Sequence, residues 1–174
     1  QLYALSQANS VDLSKDGLRP LQDAAKDHQV VIVLGYQEID GSLSGSTLFN
    51  SCAIIDADGR LANNHRKLMP TNPERMIWGF GDGSGLNVVD TAVGRVGALI
   101  CWENYMPLAR FSLYASGVEV YIASTADDGD AWQATLIHIA RESRAFVVAP
   151  SHYQRAASYP ADFPLADEIA GMGI

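Results

Sequence analysis

The sequence has only two cysteines, too few for a disulfide framework in a chain of 174 residues, so two free thiols in a reduced, cytoplasmic setting are expected. Its 12 lysines and arginines are scattered among 20 acidic residues, giving a net charge of −8 and no basic stripe for a phosphate backbone. Nucleic acid is therefore excluded as an expected partner. Runs such as Val30 to Leu34 and Val96 to Ile100 are strand-length. They fall far short of the roughly 20 apolar residues of a membrane span, and no membrane partner is expected. The histidines His28, His65, His138 and His152 lie far apart without ligand spacing, so neither a metal nor a cofactor is expected. Gly79, Gly81, Gly83 and Gly85 lack the lysine and the strand-to-helix context of a phosphate cradle and read as a flexible surface loop. Asp127-Asp128-Gly129-Asp130 reads as a solvated loop. Gln1 is not an initiator methionine and follows no basic, apolar leader, so we expect an internal piece of a longer chain.

What is present is 48% hydrophobic sequence, spread evenly enough for one domain with a core of its own. Gly17 to His28 carries Leu18, Leu21, Ala24 and Ala25 at helical spacing and feeds the β-branched run Val30 to Leu34, closed by Gly35. Leu48 to Ile55 reads as a strand, and the Asp58-Gly59 pair as the turn into a second strand running toward Arg66 and Lys67. Leu86 to Thr91 and Arg95 to Ile100 flank another hairpin. Pro107 to Gly117 reads as a helix with proline at its start and glycine at its stop. Val118 to Ala123, Trp132 to Ser143 and Ala145 to Ala149 continue as strand, helix and strand. This rhythm predicts an α/β layered fold with helices over a mixed sheet.

Cys101 falls at the carboxyl end of an apolar strand and just ahead of a helix, where unpaired N–H groups and a helix dipole suit a nucleophilic thiolate. Cys52, inside a hairpin strand, reads as a small core residue. Around Cys101 the segment Gly97-Ala98-Leu99-Ile100-Cys101-Trp102-Glu103-Asn104-Tyr105-Met106-Pro107 closely resembles the nucleophile segment of nitrilases. His65-Arg66-Lys67-Leu68-Met69-Pro70-Thr71 resembles that family's lysine segment, and Glu74 to Gly79 with Gly81 to Ser84 resembles the stretch between the two. Trp132 to Glu142, Val147-Val148 and Ser158-Tyr159-Pro160 extend the likeness over most of the chain.

The resemblance implies a nitrilase-type four-layer α-β-β-α sandwich, here partial, over a single domain of residues 1–174 that is incomplete at both ends. It implies a Glu-Lys-Cys triad, of which Cys101 and Lys67 are matched, with Glu74 as the second, supporting glutamate. The family's general-base glutamate lies N-terminal to every segment quoted, and neither Glu38 nor Glu103 can take its place from its position in the pattern. Trp102, Glu103, Trp132 and His138 are the implied substrate contacts, with Trp78 and Tyr105 as further candidates for an aromatic wall. The implied reaction is hydrolysis of an organic nitrile to a carboxylic acid and ammonia through a thioimidate and a thioester. A cyanide hydratase, an amidase of the same superfamily and an inactive fragment are the alternatives. A homodimer or larger homo-oligomer is implied as well.

Overall fold

The strand β1 (Ile32–Ile39) runs straight through Gly35, where the sequence suggested a stop. Gly35 pairs with Cys52 in the middle of an antiparallel ladder between β1 and β2 (Leu48–Ile55), and this pairing offsets the weak strand preference of glycine. The helix α1 (Leu2–Ala8), which hydrophobic spacing did not reveal, lies against β1 through hydrogen bonds between Ser6 and Gln37. The Asp56 to Gly59 turn leads into β3 (Leu61–Arg66), which completes a sheet in the order β1-β2-β3. The computed structural model describes residues 2–42, 44–127, 129–153, 155–160 and 162–171.

The second sheet has the order β4-β5-β6-β7, formed by β4 (Val89–Thr91), β5 (Gly94–Ile100), β6 (Val120–Ser124) and β7 (Phe146–Val148). β4 and β5 are an antiparallel hairpin, whereas β5, β6 and β7 run parallel. Parallel neighbours need crossovers. The helix α3 (Pro107–Ala115) supplies the first and α4 (Asp130–Ser143) the second. Pro107 opens α3, and Gly117, at a φ of 74°, takes the left-handed turn that ends it.

Alternation along the strands sorts side chains into layers. Cys52 and Ile54 from the first sheet meet Val96, Ala98, Ile100 and Ile122 from the second. Leu99, Tyr121 and Ala123 point the other way, onto Ala109 and Leu113 of α3 and Trp132 and Ile139 of α4. The helix α2 (Arg19–His28) packs on β2, covering the outer face of the first sheet with Ala25 fully buried. The layers are thus helix, sheet, sheet, helix, the sandwich that the resemblance implied. The short helix α5 (Ala166–Gly171) follows at the end of the described chain. Among the described residues, no helix is long and apolar enough to cross a membrane.

The glycine-rich segment after β3 is a loop, as its composition suggested, but one that lies closely against the strand. A Cβ on Gly81 would stand 2.2 Å from the carbonyl oxygen of Arg66, and one on Gly85 would stand 2.2 Å from that of Asn64. Both glycines let this segment lie directly on the β3 backbone, where Gly81 N–H donates to the Lys67 carbonyl at 2.9 Å. Gly85→Ala is therefore expected to destabilise the fold by about 1 to 3 kcal/mol. A thermal melt beside the parent chain checks this, and an unchanged midpoint would refute the close approach.

Candidate active site

β5 ends at Ile100 in extended conformation, and Cys101 turns sharply with a φ of 54°. A left-handed conformation at a residue with a side chain is strained by roughly 1 to 2 kcal/mol and persists only where surrounding bonds enforce it. Those bonds come from the 3₁₀ turn Cys101–Tyr105. Asn104 Nδ2 donates to the Cys101 carbonyl at 2.7 Å, while its Oδ1 accepts from the Tyr121 hydroxyl at 2.8 Å. Arg110 donates to the Asn104 carbonyl at 2.8 Å. One oxygen of Glu103 accepts the Ile100 N–H at 2.7 Å and the other accepts the Leu68 N–H at 2.6 Å.

That second bond ties the elbow to the residue after Lys67. Lys67 directly follows β3, with its side chain wholly out of solvent. A buried ammonium needs partners. Its Nζ donates to Glu74 Oε2 at 2.6 Å and to Thr71 Oγ1 at 3.2 Å. Glu74 sits on the 3₁₀ turn Asn72–Met76 and is fixed by the Thr71 N–H at 2.7 Å. An ammonium has three N–H donors, and the third has no partner among the described residues.

Cys101 and Glu74 line one cavity of about 290 Å³. It opens at the carboxyl ends of β5 and β6, with Ser124 at the end of the latter and Thr125 just beyond it, which is where parallel sheets present ligand sites. Tyr36 and Trp78 form an aromatic wall. Their polar atoms are already used, the Tyr36 hydroxyl on Asn64 at 2.8 Å and Trp78 Nε1 on Gln37 at 2.9 Å, so both present apolar faces to the cavity. Lys67 is not itself on the wall and stands behind Glu74.

None of the four expected substrate contacts lines this cavity. Trp102 is 54% exposed and faces a separate depression beside Met69 and Arg75. Glu103 is 1% exposed, with both oxygens bound to backbone N–H groups. Trp132 is buried in the layer between α4 and the second sheet. His138 lies on the outer side of α4, 3.6 Å from Glu142. For Trp102 and Glu103 the reason is the 3₁₀ turn, which at about three residues per turn sends successive side chains in different directions.

Glu38 is also unsuited to accept a proton. Burial raises its affinity for one, but bonds from Arg66, Ser51 and Asn64 together outweigh that and hold the carboxyl below its usual range. His152, which spacing had set aside, does line the cavity. No sequence signal marked it, because the loop after β7 brings it there. Asp127 accepts from the Gly129 N–H at 3.0 Å, as a solvated loop would, while Asp128 lies outside the described residues. Among the described residues, no group of three or more potential ligands could hold a metal ion.

The two thiols differ sharply. Burial, aided by the negative charge of Glu103, pushes Cys52 up to about 12, whereas Cys101 is partly accessible at the cavity. Iodoacetamide at neutral pH is expected to alkylate Cys101 alone until denaturant is added, as peptide mass mapping would check. Labelling of Cys52 in the folded chain would contradict this arrangement.

A sequence profile described as carbon-nitrogen hydrolase matches residues 3–159. The chain is 44% identical over 153 residues to a bifunctional nitrilase/nitrile hydratase of Nicotiana tabacum, which covers 88% of this chain and 43% of that protein. It is 43% identical over 160 residues to an aliphatic nitrilase of Sinorhizobium fredii, covering 92% of this chain and 50% of the relative. The chain therefore spans half or less of the length of these curated relatives. Among solved structures, it is similar to Saccharomyces cerevisiae Nit3, a member of branch 10 of the nitrilase superfamily. That match has a TM-score of 0.68 and 21% identity, over 78% of this chain and 50% of the other. A carbon-nitrogen hydrolase from Helicobacter pylori matches with a TM-score of 0.66 and 21% identity, over 77% of this chain and 50% of that one.

Proposed function

The chain belongs to the carbon-nitrogen hydrolase family, and from that premise we propose that it serves hydrolysis of an organic nitrile to a carboxylic acid and ammonia, with Cys101 as nucleophile. The observation that carries the proposal is the cavity shared by the strained Cys101 elbow and by Glu74, the carboxylate that holds the buried Lys67 ammonium. The relatives named as nitrilases support the choice of nitriles.

In the proposed reaction the Sγ of Cys101 adds to the nitrile carbon, and the thiol proton passes through a base to the nitrile nitrogen, giving a thioimidate. Among the described residues, Glu74 is the only carboxylate on the cavity wall, and its Oε2 is committed to Lys67 and Thr71. Its role is to orient the ammonium and the attacking water. The general base is the glutamate that the family resemblance assigns to a segment N-terminal to these motifs. Lys67, whose third N–H has no partner among the described residues, stabilises from behind Glu74 the charge developing on the substrate nitrogen, helped by the Trp102 backbone N–H. A first water adds to the thioimidate carbon, and loss of ammonia leaves a thioester. A second water hydrolyses the thioester, releasing the acid and restoring the thiol.

If the tetrahedral species expels the thiolate instead of ammonia, the product is an amide. The tobacco relative, named as both nitrilase and nitrile hydratase, favours a measurable share of this second outcome. The Tyr36 and Trp78 wall suits an apolar nitrile substituent. With the segment that carries the general-base glutamate present, incubation with short aliphatic and arylalkyl nitriles should give ammonia and acid, together with a mass increment of one nitrile on the peptide carrying Cys101. Release of ammonia from amides but never from nitriles, with no thioimidate adduct, would assign the site to an amidase instead.

A further inference from the structure

His65 lies two residues before Lys67, and Glu103 lies two residues after Cys101. Though 38 positions apart, they meet in the interior, with His65 Nε2 at 3.0 Å from both carboxylate oxygens. Their side chains are 1% and 0% exposed. The same carboxylate accepts the N–H groups of Leu68 and Ile100, which immediately flank Lys67 and Cys101. Among the described residues, Glu103 has no lysine or arginine partner, so the imidazole is the only side chain that donates to it. The opposite ring nitrogen, Nδ1, is buried with no hydrogen-bond partner among the described residues.

We propose that His65 is a positioning residue that carries its proton on Nε2 and, through Glu103, holds the lysine strand in register with the nucleophile elbow. A proton on Nδ1 would sit buried with no acceptor, while Nε2 would face the carboxylate with a lone pair, so hydrogen bonding selects the Nε2–H form. Cys52, directly across the ladder from His65, presents only a weakly polar thiol and does not compete for the carboxylate. His65 does not line the cavity and acts through Glu103. Its part in turnover rests on the proposed nitrile chemistry, whereas the tautomer and the register do not.

The test joins two measurements that need no turnover with one that does. Imidazole ¹⁵N NMR of the parent chain should show Nε2 protonated and Nδ1 bare. In His65→Gln the amide nitrogen can replace Nε2 as donor, whereas His65→Leu keeps the bulk without the donor. Alkylation of Cys101 is expected to slow about tenfold or more in His65→Leu and to stay within about threefold of the parent in His65→Gln, with turnover falling through kcat rather than KM. A proton on Nδ1, or equal alkylation rates in the two variants, overturns the proposal. Should His65→Leu fail to fold, the NMR result and the His65→Gln rate decide alone. Absent nitrile turnover with the alkylation split intact would count against the proposed reaction and leave the positioning role standing.

Discussion

Cys101→Ala is expected to abolish ammonia release from nitriles while leaving the melting temperature within a degree or two of the parent. The loss should be on the order of 10⁶-fold, the scale on which removing a covalent nucleophile lowers turnover in other hydrolases. Stability should survive because, among the described residues, the thiol makes no hydrogen bond that holds the turn. The turn is enforced by the Cys101 carbonyl bonded to Asn104 and by the Ile100 N–H bonded to Glu103, and an alanine backbone retains both. Alanine also carries a Cβ like cysteine, so the cost of the positive φ is unchanged. The assay is ammonia release beside a thermal melt. Residual release at more than about a hundredth of the parent rate would show that the nitrile is attacked by something other than this thiol.

Glu103→Ala should show a different signature, with both activity and stability falling. The substitution strips the acceptor from the Leu68 and Ile100 N–H groups and from His65 in a region closed to water. Buried donors left unpaired cost about 1 to 3 kcal/mol each, so a total of roughly 3 to 5 kcal/mol is expected. For a chain of this size that corresponds to a melting temperature lower by roughly 10 °C. Denaturant unfolding measures it, and a loss below about 1 kcal/mol would mean that water replaces the missing carboxylate. The two variants thus separate chemistry from support at positions only two residues apart.

The fold was legible where one physical cause dominated. β2 could be read from end to end because it is apolar apart from Asn50 and Ser51, as a largely buried strand must be, and the Asp58-Gly59 turn fixed where β3 begins. Cys101 was legible because a strand terminus, a proline-led helix and a long motif coincide there. Gly35 misled because glycine was weighed as a local breaker, whereas its place in the ladder is decided by β2 alongside it. The placement of Trp102, Glu103 and His138 was not legible, since it depends on which way a short turn or a helix face points after packing. The pairing of His65 with Glu103 had no local signature at all. Nor did the contact of Gly81 and Gly85 with β3, which requires two backbones to meet in space.

The proposed nucleophile and its proposed cation come from different sheets, Cys101 just after β5 and Lys67 just after β3. Each sheet can close its own ladder from nearby sequence, but the cavity exists only once the two faces have docked. Chemical competence therefore requires the docked arrangement, and a half-folded chain should carry the thiol without the apparatus proposed to act on a nitrile. Protection of Cys52 and productive use of Cys101 should appear together during refolding, so that one thiol's silence marks the moment at which the other becomes a tool.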